Sequence, residues 1–73
     1  MYRLLLDDEA RTYYNRPDDY KKEYPAIGIF HTITTRGNPE YYTVYYTVFD
    51  NRSGEMFMEE FNEYADALMW ILK

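Results

Sequence analysis

Several segments of the chain alternate in the way that half-buried β-strands do. The apolar side chains of Ile27, Ile29 and Ile33 fall on every second position, which is the period of a strand. Residues 41–49 contain only Tyr, Thr, Val and Phe, which are residue types that favour strands. A less regular alternation of charged and apolar residues covers residues 55–61. The pattern therefore predicts three consecutive strands.

Both connections between these strands have the composition of hairpin turns. Residues 36–39 read Arg-Gly-Asn-Pro, and residues 50–54 read Asp-Asn-Arg-Ser-Gly. Gly and Asn tolerate positive φ and Pro fixes its own φ, so we expect Gly54 in a left-handed conformation. Short connections of this kind join antiparallel strands, and the sequence therefore predicts an antiparallel meander.

A strand and a helical segment are predicted before the meander. Residues 2–6 are mostly apolar and predict a short opening strand. The acidic run that follows is typical of the first turn of a helix, which we expect to continue to about Asn15. Pro17 either ends that helix or begins a second short one that runs to Tyr24. Residues 7–25 are therefore expected to be helical or irregular.

A final helix is predicted from Asn62, whose side chain suits an N-cap, to the end of the chain. Its apolar positions recur at helical spacing and form the stripe that would pack on the sheet, with Trp70 at its flank or beyond. The stripe consists of Phe61, Tyr64 or Ala65, Leu68, Ile71 and Leu72.

Together these elements predict an α+β fold in a single small domain that spans residues 1–73. We expect a three- to four-stranded antiparallel sheet (meander) with a C-terminal helix packed on one face. A short helical or irregular segment follows the first strand.

The longest predicted strand has two different faces, and the final helix can cover only one of them. One face carries Tyr42, Val44, Tyr46 and Val48, and the other carries Tyr41, Thr43, Tyr45, Thr47 and Phe49. We expect the valine face to form the core and the Tyr/Thr face to stay at least partly exposed. That second face is then a solvated sheet surface, is covered by residues 7–25, or serves as a binding platform.

Composition narrows the functional classes. The chain has 73 residues and no cysteine, which excludes a disulfide framework, a thiolate nucleophile and a cysteine-ligated zinc ion. Ten residues are tyrosine, more than so small a core requires, and tyrosine is common at protein interfaces. The apolar runs are too short to span a bilayer and no signal peptide is evident, so we expect a cytoplasmic protein with no membrane contact.

Charge is distributed unevenly along the chain, whose formal net charge is -5. Residues 1–53 hold eight acids and seven bases, whereas residues 54–73 hold five acids and one base. An acidic surface repels nucleic acid and favours basic partners. These C-terminal acids are either solvated charge that keeps a small protein soluble or a row of charge that fits a basic groove.

Few residues favour catalysis. His31 lies on the predicted isoleucine face, where we expect a core residue with one hydrogen bond rather than a general base or a metal ligand. Adjacent acids such as Glu59 and Glu60 point to opposite faces of a strand and cannot share a proton as a catalytic pair. The three glycines are scattered, which excludes a glycine-rich phosphate loop. We therefore predict no enzymatic activity, no cofactor and no metal site.

One segment carries a family resemblance. Residues 54–71 read GEMFMEEFNEYADALMWI, and they resemble the strand, acidic-aromatic turn and helix of many small phage-encoded proteins. Over residues 26–73 the meander, the aromatic content and the acidic balance are similar to those of some small anti-CRISPR proteins. The resemblance implies a non-enzymatic inhibitor, phage or mobile-element encoded, that acts in the host cell cytoplasm. Such an inhibitor binds a bacterial defence complex and blocks DNA loading or nuclease recruitment.

The sequence leads to two functional hypotheses. The first is a protein-binding inhibitor that acts as a DNA mimic on a partner with a basic surface, such as a CRISPR–Cas or other nucleic-acid-binding complex. Its tyrosines anchor the partner and its carboxylates pair with Arg or Lys. The residues predicted to do this are Tyr13, Tyr14, Asp18, Asp19, Tyr20, Glu59, Glu60 and Glu63. The alternative is a structural or adaptor subunit that forms a homodimer through its Tyr/Thr sheet face or an open strand edge.

Direct binding to nucleic acid is not predicted. The order of three strands and a helix is similar to that of sheet-type DNA-binding domains, which insert a sheet into the major groove. Those sheets carry Arg and Lys where this one carries Tyr, Thr and Glu, so the basic footprint that such binding needs is missing.

Overall fold

A computed structural model of the chain describes residues 3–37 and 41–72. Its elements in chain order are β1 (Arg3–Leu6), α1 (Asp7–Tyr14), α2 (Asp18–Glu23), β2 (Ala26–Arg36), β3 (Tyr41–Asp50), β4 (Phe57–Phe61) and α3 (Tyr64–Ile71). The predicted α+β architecture is confirmed, because helices follow the first strand and a C-terminal helix packs on the sheet. The predicted strand residue Tyr2 and the predicted turn residues Asn38 and Pro39 lie outside the described residues.

The four strands form one sheet in the order β1-β2-β3-β4. β2, β3 and β4 pair in antiparallel fashion, as the hairpin loops predict. β1 differs from the expected meander because it pairs with β2 in parallel. A parallel neighbour requires a crossover of a dozen or more residues, and α1 and α2 form that crossover between Leu6 and Ala26.

Helices cover both faces of one end of the sheet and divide the core into two clusters. The buried residues beneath α1 are Leu5, Ala10, Tyr13, Ala26, Phe30 and Phe49. Those beneath α3 are Ile27, Ile29, Val48, Ala67 and Ile71. Val48 and Phe49 are adjacent in β3 and both are 0% exposed. Because neighbouring strand residues point to opposite faces, β3 contributes to both clusters.

Exposure changes along β3 rather than between its two faces. Thr47 and Phe49 of the Tyr/Thr face are buried, whereas Tyr42 and Val44 of the valine face are exposed. The Tyr/Thr face is thus partly exposed, as expected, and residues 7–25 cover its buried end, which is one of the three alternatives given for that face. The expectation that the valine face as a whole forms the core is wrong. The reason is length, because helices of 8 residues are about 12 Å long. The 11 residues of β2 span about 36 Å, so the helices cover only part of the hairpin.

The boundaries and the buried stripe of α3 differ slightly from the prediction. Glu63 rather than Asn62 occupies the N-cap position, and no side chain caps the helix there. Ala67, which is not in the predicted stripe, is fully buried, whereas the predicted stripe positions Tyr64 and Ala65 are exposed. Trp70 packs against the cluster beneath α3, whereas Leu72 is the C-cap and is 71% exposed.

Gly28 allows close packing between α1, β2 and β3. It is the register partner of Phe49, and a Cβ built on Gly28 would lie 2.7 Å from Cε2 of that ring and 3.2 Å from Cβ of Ala10. The Phe49 ring therefore occupies the space that a side chain at position 28 would need. Gly54 has a different role, because it adopts the predicted left-handed conformation with φ 90°.

We expect Gly28→Ala to lower the free energy of unfolding by about 2 to 3 kcal/mol, because the added methyl group overpacks the cluster beneath α1. Urea denaturation followed by circular dichroism measures this change. Thr35→Ala, at an exposed position of the same strand, is the matched control and should cost less than about 1 kcal/mol. A Gly28→Ala variant as stable as the control would contradict the packing described here.

Candidate protein-binding surfaces

The predicted anchor tyrosines of α1 pack into the core. Tyr13 is 6% exposed, and its ring stacks on Phe49 with the centroids 5.4 Å apart. Tyr14 is half-buried, and its ring centroid lies 5.4 Å from that of Phe30 and 5.7 Å from that of Phe49. The hydroxyl of Tyr14 donates to Sδ of Met58 at 2.8 Å. These two rings hold α1 on the sheet and leave a partner little surface to contact.

The hydroxyl of Tyr13 belongs to a buried polar cluster. It donates to the carbonyl oxygen of Tyr24 at 2.6 Å and accepts from Nδ2 of Asn51 at 3.0 Å. Asn51 is 2% exposed, and its Nδ2 also donates to the carbonyl oxygen of Lys21 at 2.7 Å. The cluster fastens the end of α2 to the β3–β4 loop. Sequence analysis missed this role because Asn51 lies in a loop whose composition already suits a turn.

The other predicted residues of the helical segment belong to α2. Tyr20 packs against the cluster beneath α1, and the guanidinium of Arg16 lies 5.0 Å from the centroid of its ring. Asp18 and Asp19 are exposed, and Oδ1 of Asp18 lies 3.7 Å from Nζ of Lys21. The structure therefore groups the three predicted tyrosines against the sheet and leaves the two aspartates at the surface.

Five carboxylates of the C-terminal segment remain exposed, and we call them the acidic surface. They are Glu55, Glu59, Glu60, Glu63 and Asp66. Within residues 3–37 and 41–72, no ion pair joins any of the five to a basic side chain, whereas four acids elsewhere pair with Arg or Lys. Those four are Asp8, Glu9, Asp18 and Asp50. The acidic surface thus keeps its negative charge uncompensated by close partners.

The acidic surface lies along the open edge of the sheet. β4 is the last strand in the sheet order. Glu59 is the register partner of Val48, on the face that α3 covers, and Glu60 is the partner of Thr47, on the opposite face. Carboxylates therefore lie on both sides of this edge, as strand alternation predicts. Phe57 adds apolar surface at the same strand, because it is 54% exposed.

The carboxylate of Asp50, the last residue of β3, is held by Arg52 in the following loop. The side chain of Arg52 donates hydrogen bonds to Asp50, from Nε to Oδ1 at 3.0 Å and from Nη2 to Oδ2 at 2.7 Å. These side-chain hydrogen bonds, with a backbone hydrogen bond and the guanidinium charge, hold the pKa of Asp50 below its ordinary value. The ion pair stabilises the loop that contains the buried Asn51.

His31 lies where the helical cover ends. Its side chain is 43% exposed, and Nδ1 lies 3.1 Å from Oδ1 of Asp7. The expected single hydrogen-bond partner is present, but the expected burial in the core is not. Asp7 turns the chain directly from β1 into α1, and it adopts a positive φ of 50° to do so.

A second exposed surface is the distal part of the β2–β3 hairpin, which we call the bare ribbon and define as residues 32–35 and 41–45. Ile33 is 56% exposed, Tyr41 is 63% exposed and Tyr42 is 70% exposed. Its side chains are Thr, Tyr, Ile and Val and carry no formal charge. The sequence pattern predicts the two strands, but it does not show that they extend beyond both helices.

A shallow cleft of about 220 Å³ lies between α2 and the β3–β4 loop, and its lining includes Lys21, Asn51 and Met56. Across the described ranges, no three His, Asp or Glu side chains are grouped so as to hold a metal ion. The helices in these ranges also lack the length and apolar character needed to cross a membrane.

Comparison with known proteins adds no relative. No protein-family model matches the sequence, no curated protein matches it, and no solved structure matches the fold. Any functional argument for this chain therefore depends on its own residues.

The buried polar cluster gives a direct test of the role assigned to Tyr13. We expect Tyr13→Phe to lower the free energy of unfolding by about 1 to 3 kcal/mol, because the amide of Asn51 and the carbonyl of Tyr24 lose their shared partner. Tyr24→Phe removes an exposed hydroxyl and should cost less than about 0.5 kcal/mol. Urea denaturation of Tyr13→Phe, Asn51→Ala and the double variant measures the coupling between the two side chains. Additive effects of these two changes would contradict the cluster.

Proposed function

We propose that this chain is a non-catalytic protein-binding inhibitor that occupies a basic surface on a nucleic-acid-handling complex. The observation that carries the proposal is the acidic surface, whose five carboxylates are exposed and lack close basic partners among the described residues. Among the other described acids, Asp8, Glu9, Asp18 and Asp50 pair with Arg or Lys, so most of the described acids without such a partner lie on one segment. We propose that their partners are Arg and Lys side chains of another protein.

The position of the acidic surface supports this proposal. Glu59 and Glu60 lie on opposite faces of the edge strand, and Glu63 immediately precedes α3. Carboxylates at such spacing present negative charge along an edge, which a groove that normally holds phosphates attracts. Phe57 and Met58 are partly exposed beside them. Apolar contact at these two residues would supply binding energy that charge pairs at a surface provide only weakly.

The buried tyrosines change which predicted residues take part. Tyr13 and Tyr14 serve the core, so we assign the charged contacts to Glu59, Glu60 and Glu63. Asp18 and Asp19 lie on α2 and are exposed. Asp19 is available for a second charged contact, whereas Asp18 already lies near Lys21. In the finer form of the proposal, the partner is a bacterial defence complex of the kind that anti-CRISPR proteins inhibit.

The experiment is a pull-down of tagged protein from nuclease-treated bacterial lysate, washed at low and at high salt. We expect capture of a nucleic-acid-binding complex in stoichiometric amount and its release at high salt. The variant Glu59→Gln/Glu60→Gln/Glu63→Gln should bind the purified complex at least about tenfold more weakly. It should also show a shallower dependence of affinity on salt, because fewer charges take part.

A matched control changes three exposed acids of α1 and α2, Asp8→Asn/Glu9→Gln/Glu23→Gln. It has the same net charge as the first triple variant and should retain affinity within about twofold. Equal loss in both variants would indicate that only net charge matters. Unchanged binding in the first variant, or a captured partner with no basic surface, would refute the proposal.

A further inference from the structure

The bare ribbon contains a strand edge without a neighbour. β4 ends with Phe61, which pairs with Tyr46. β2 pairs with the other edge of β3 as far as Tyr41. In the described part of the sheet, the outer edge of residues 41–45 therefore has no strand beside it. Its unpaired backbone groups form a template for another strand.

This edge lacks the charges that the edge strands β1 and β4 carry. Proteins commonly place charged side chains on exposed edge strands, where they prevent unwanted pairing. β4 carries Glu59 and Glu60, and β1 carries Arg3. Residues 41–45 read YYTVY and carry none. Tyr41 is 63% exposed and Tyr42 is 70% exposed, so this edge combines open backbone with aromatic surface.

The sequence of the edge complements itself. In an antiparallel pair centred on Thr43, each Tyr41 lies opposite the Tyr45 of a second copy. Each Tyr42 lies opposite a Val44. Cross-strand pairs of two aromatic residues, or of an aromatic and a β-branched residue, stabilise antiparallel strands. The same operation on β4 would place Glu59 opposite itself, and like charges directly opposite each other are destabilising.

Charge also favours this place of contact between two copies. The chain has a net charge of -5, so two copies repel each other over most of their surface. Residues 24–49 contain one acid, Glu40, and one base, Arg36. The hairpin is thus the part of the chain at which two copies can meet with least repulsion.

We propose that a second copy of this chain docks on the outer edge of residues 41–45, so that two β3 strands pair in antiparallel fashion about a two-fold axis at Thr43. The sheet then continues from one copy into the other. The acidic surface stays exposed on both copies, so the dimer presents it twice. Because one short strand pair is a small interface, we expect a dissociation constant of about 10 to 100 µM.

Sedimentation velocity between about 1 and 300 µM, a range that brackets this constant, tests the proposal. We expect the wild-type chain to shift from monomer to dimer over this range. Thr43→Lys should stay monomeric, because the two-fold axis would bring two ammonium groups together. Thr12→Lys, at an exposed position on α1, adds the same charge and should dimerise like the wild type. A wild-type chain that stays monomeric, or a Thr43→Lys variant that dimerises equally well, would overturn the proposal.

Cross-linking identifies the interface itself. The chain has no cysteine, and directly opposed residues of antiparallel strands have Cα atoms about 4.5 to 5.5 Å apart, within the range that a disulfide requires. Thr43→Cys should therefore form a covalent dimer rapidly under mild oxidation, and Thr12→Cys should form one slowly. A dimer that Thr43→Cys does not cross-link faster than Thr12→Cys would mean that another surface is used, and the proposal would be wrong.

This dimer is independent of the proposed inhibitor function. Glu59→Gln/Glu60→Gln/Glu63→Gln should leave the dimer intact, and Thr43→Lys should still bind the captured complex through one acidic surface. The dimer can thus be refuted while the inhibitor function stands, and the inhibitor function can be refuted while the dimer stands.

Discussion

The ring of Phe49 lies in the space above Gly28, and the packing of α1 on one face of the sheet depends on this contact. Because position 28 has no side chain, the ring can lie beside Ala10 and stack on Tyr13. Helix α1 thereby reaches the sheet and buries a second face, opposite the one that α3 covers. A chain of 73 residues thus forms two small core clusters on one four-stranded sheet.

The division of the core into two clusters has a consequence for the surface. Two helices of 8 residues lie over the same end of the sheet, so neither reaches the distal part of the β2–β3 hairpin. Tyr42 and Val44 are exposed even though they continue the face on which Val48 is fully buried. The bare ribbon is therefore the part of the hairpin that extends beyond both helices. Its edge is uncharged, whereas the edge formed by β4 is acidic.

Local pattern predicted most of the elements of the fold. Alternation over residues 26–61 gave the three antiparallel strands, and Gly54 adopts the left-handed conformation that its loop requires. The parallel pairing of β1 was not predicted, because a crossover formed by residues 7–25 has no periodic signal of its own. Tyr13 is an example. In the sequence it is a tyrosine among charged residues, which is typical of an interface. In the structure its ring fills the core and its hydroxyl accepts a hydrogen bond from Asn51.

The candidate surfaces were predictable to different degrees. The uneven charge of the C-terminal segment is visible in the sequence. The structure adds that its five acids are exposed and that Glu59 and Glu60 lie on opposite faces of an edge strand. The tyrosines of the helical segment were predicted to contact a partner, but the structure uses them to hold α1 and α2 on the sheet. The open edge at residues 41–45 could not be predicted, because it depends on where β4 ends relative to β3.

Amide hydrogen exchange along β3, measured by NMR on the Thr43→Lys variant that we expect to stay monomeric, tests most directly the claim that the cover ends midway along this strand. The amides of Thr47, Val48 and Phe49 should exchange at least about 100-fold more slowly than those of residues 41–45, because burial on both faces opposes local opening. Uniform protection along the whole strand in the monomer would contradict this claim. It would mean that the bare ribbon is covered or stabilised by something other than the two helices.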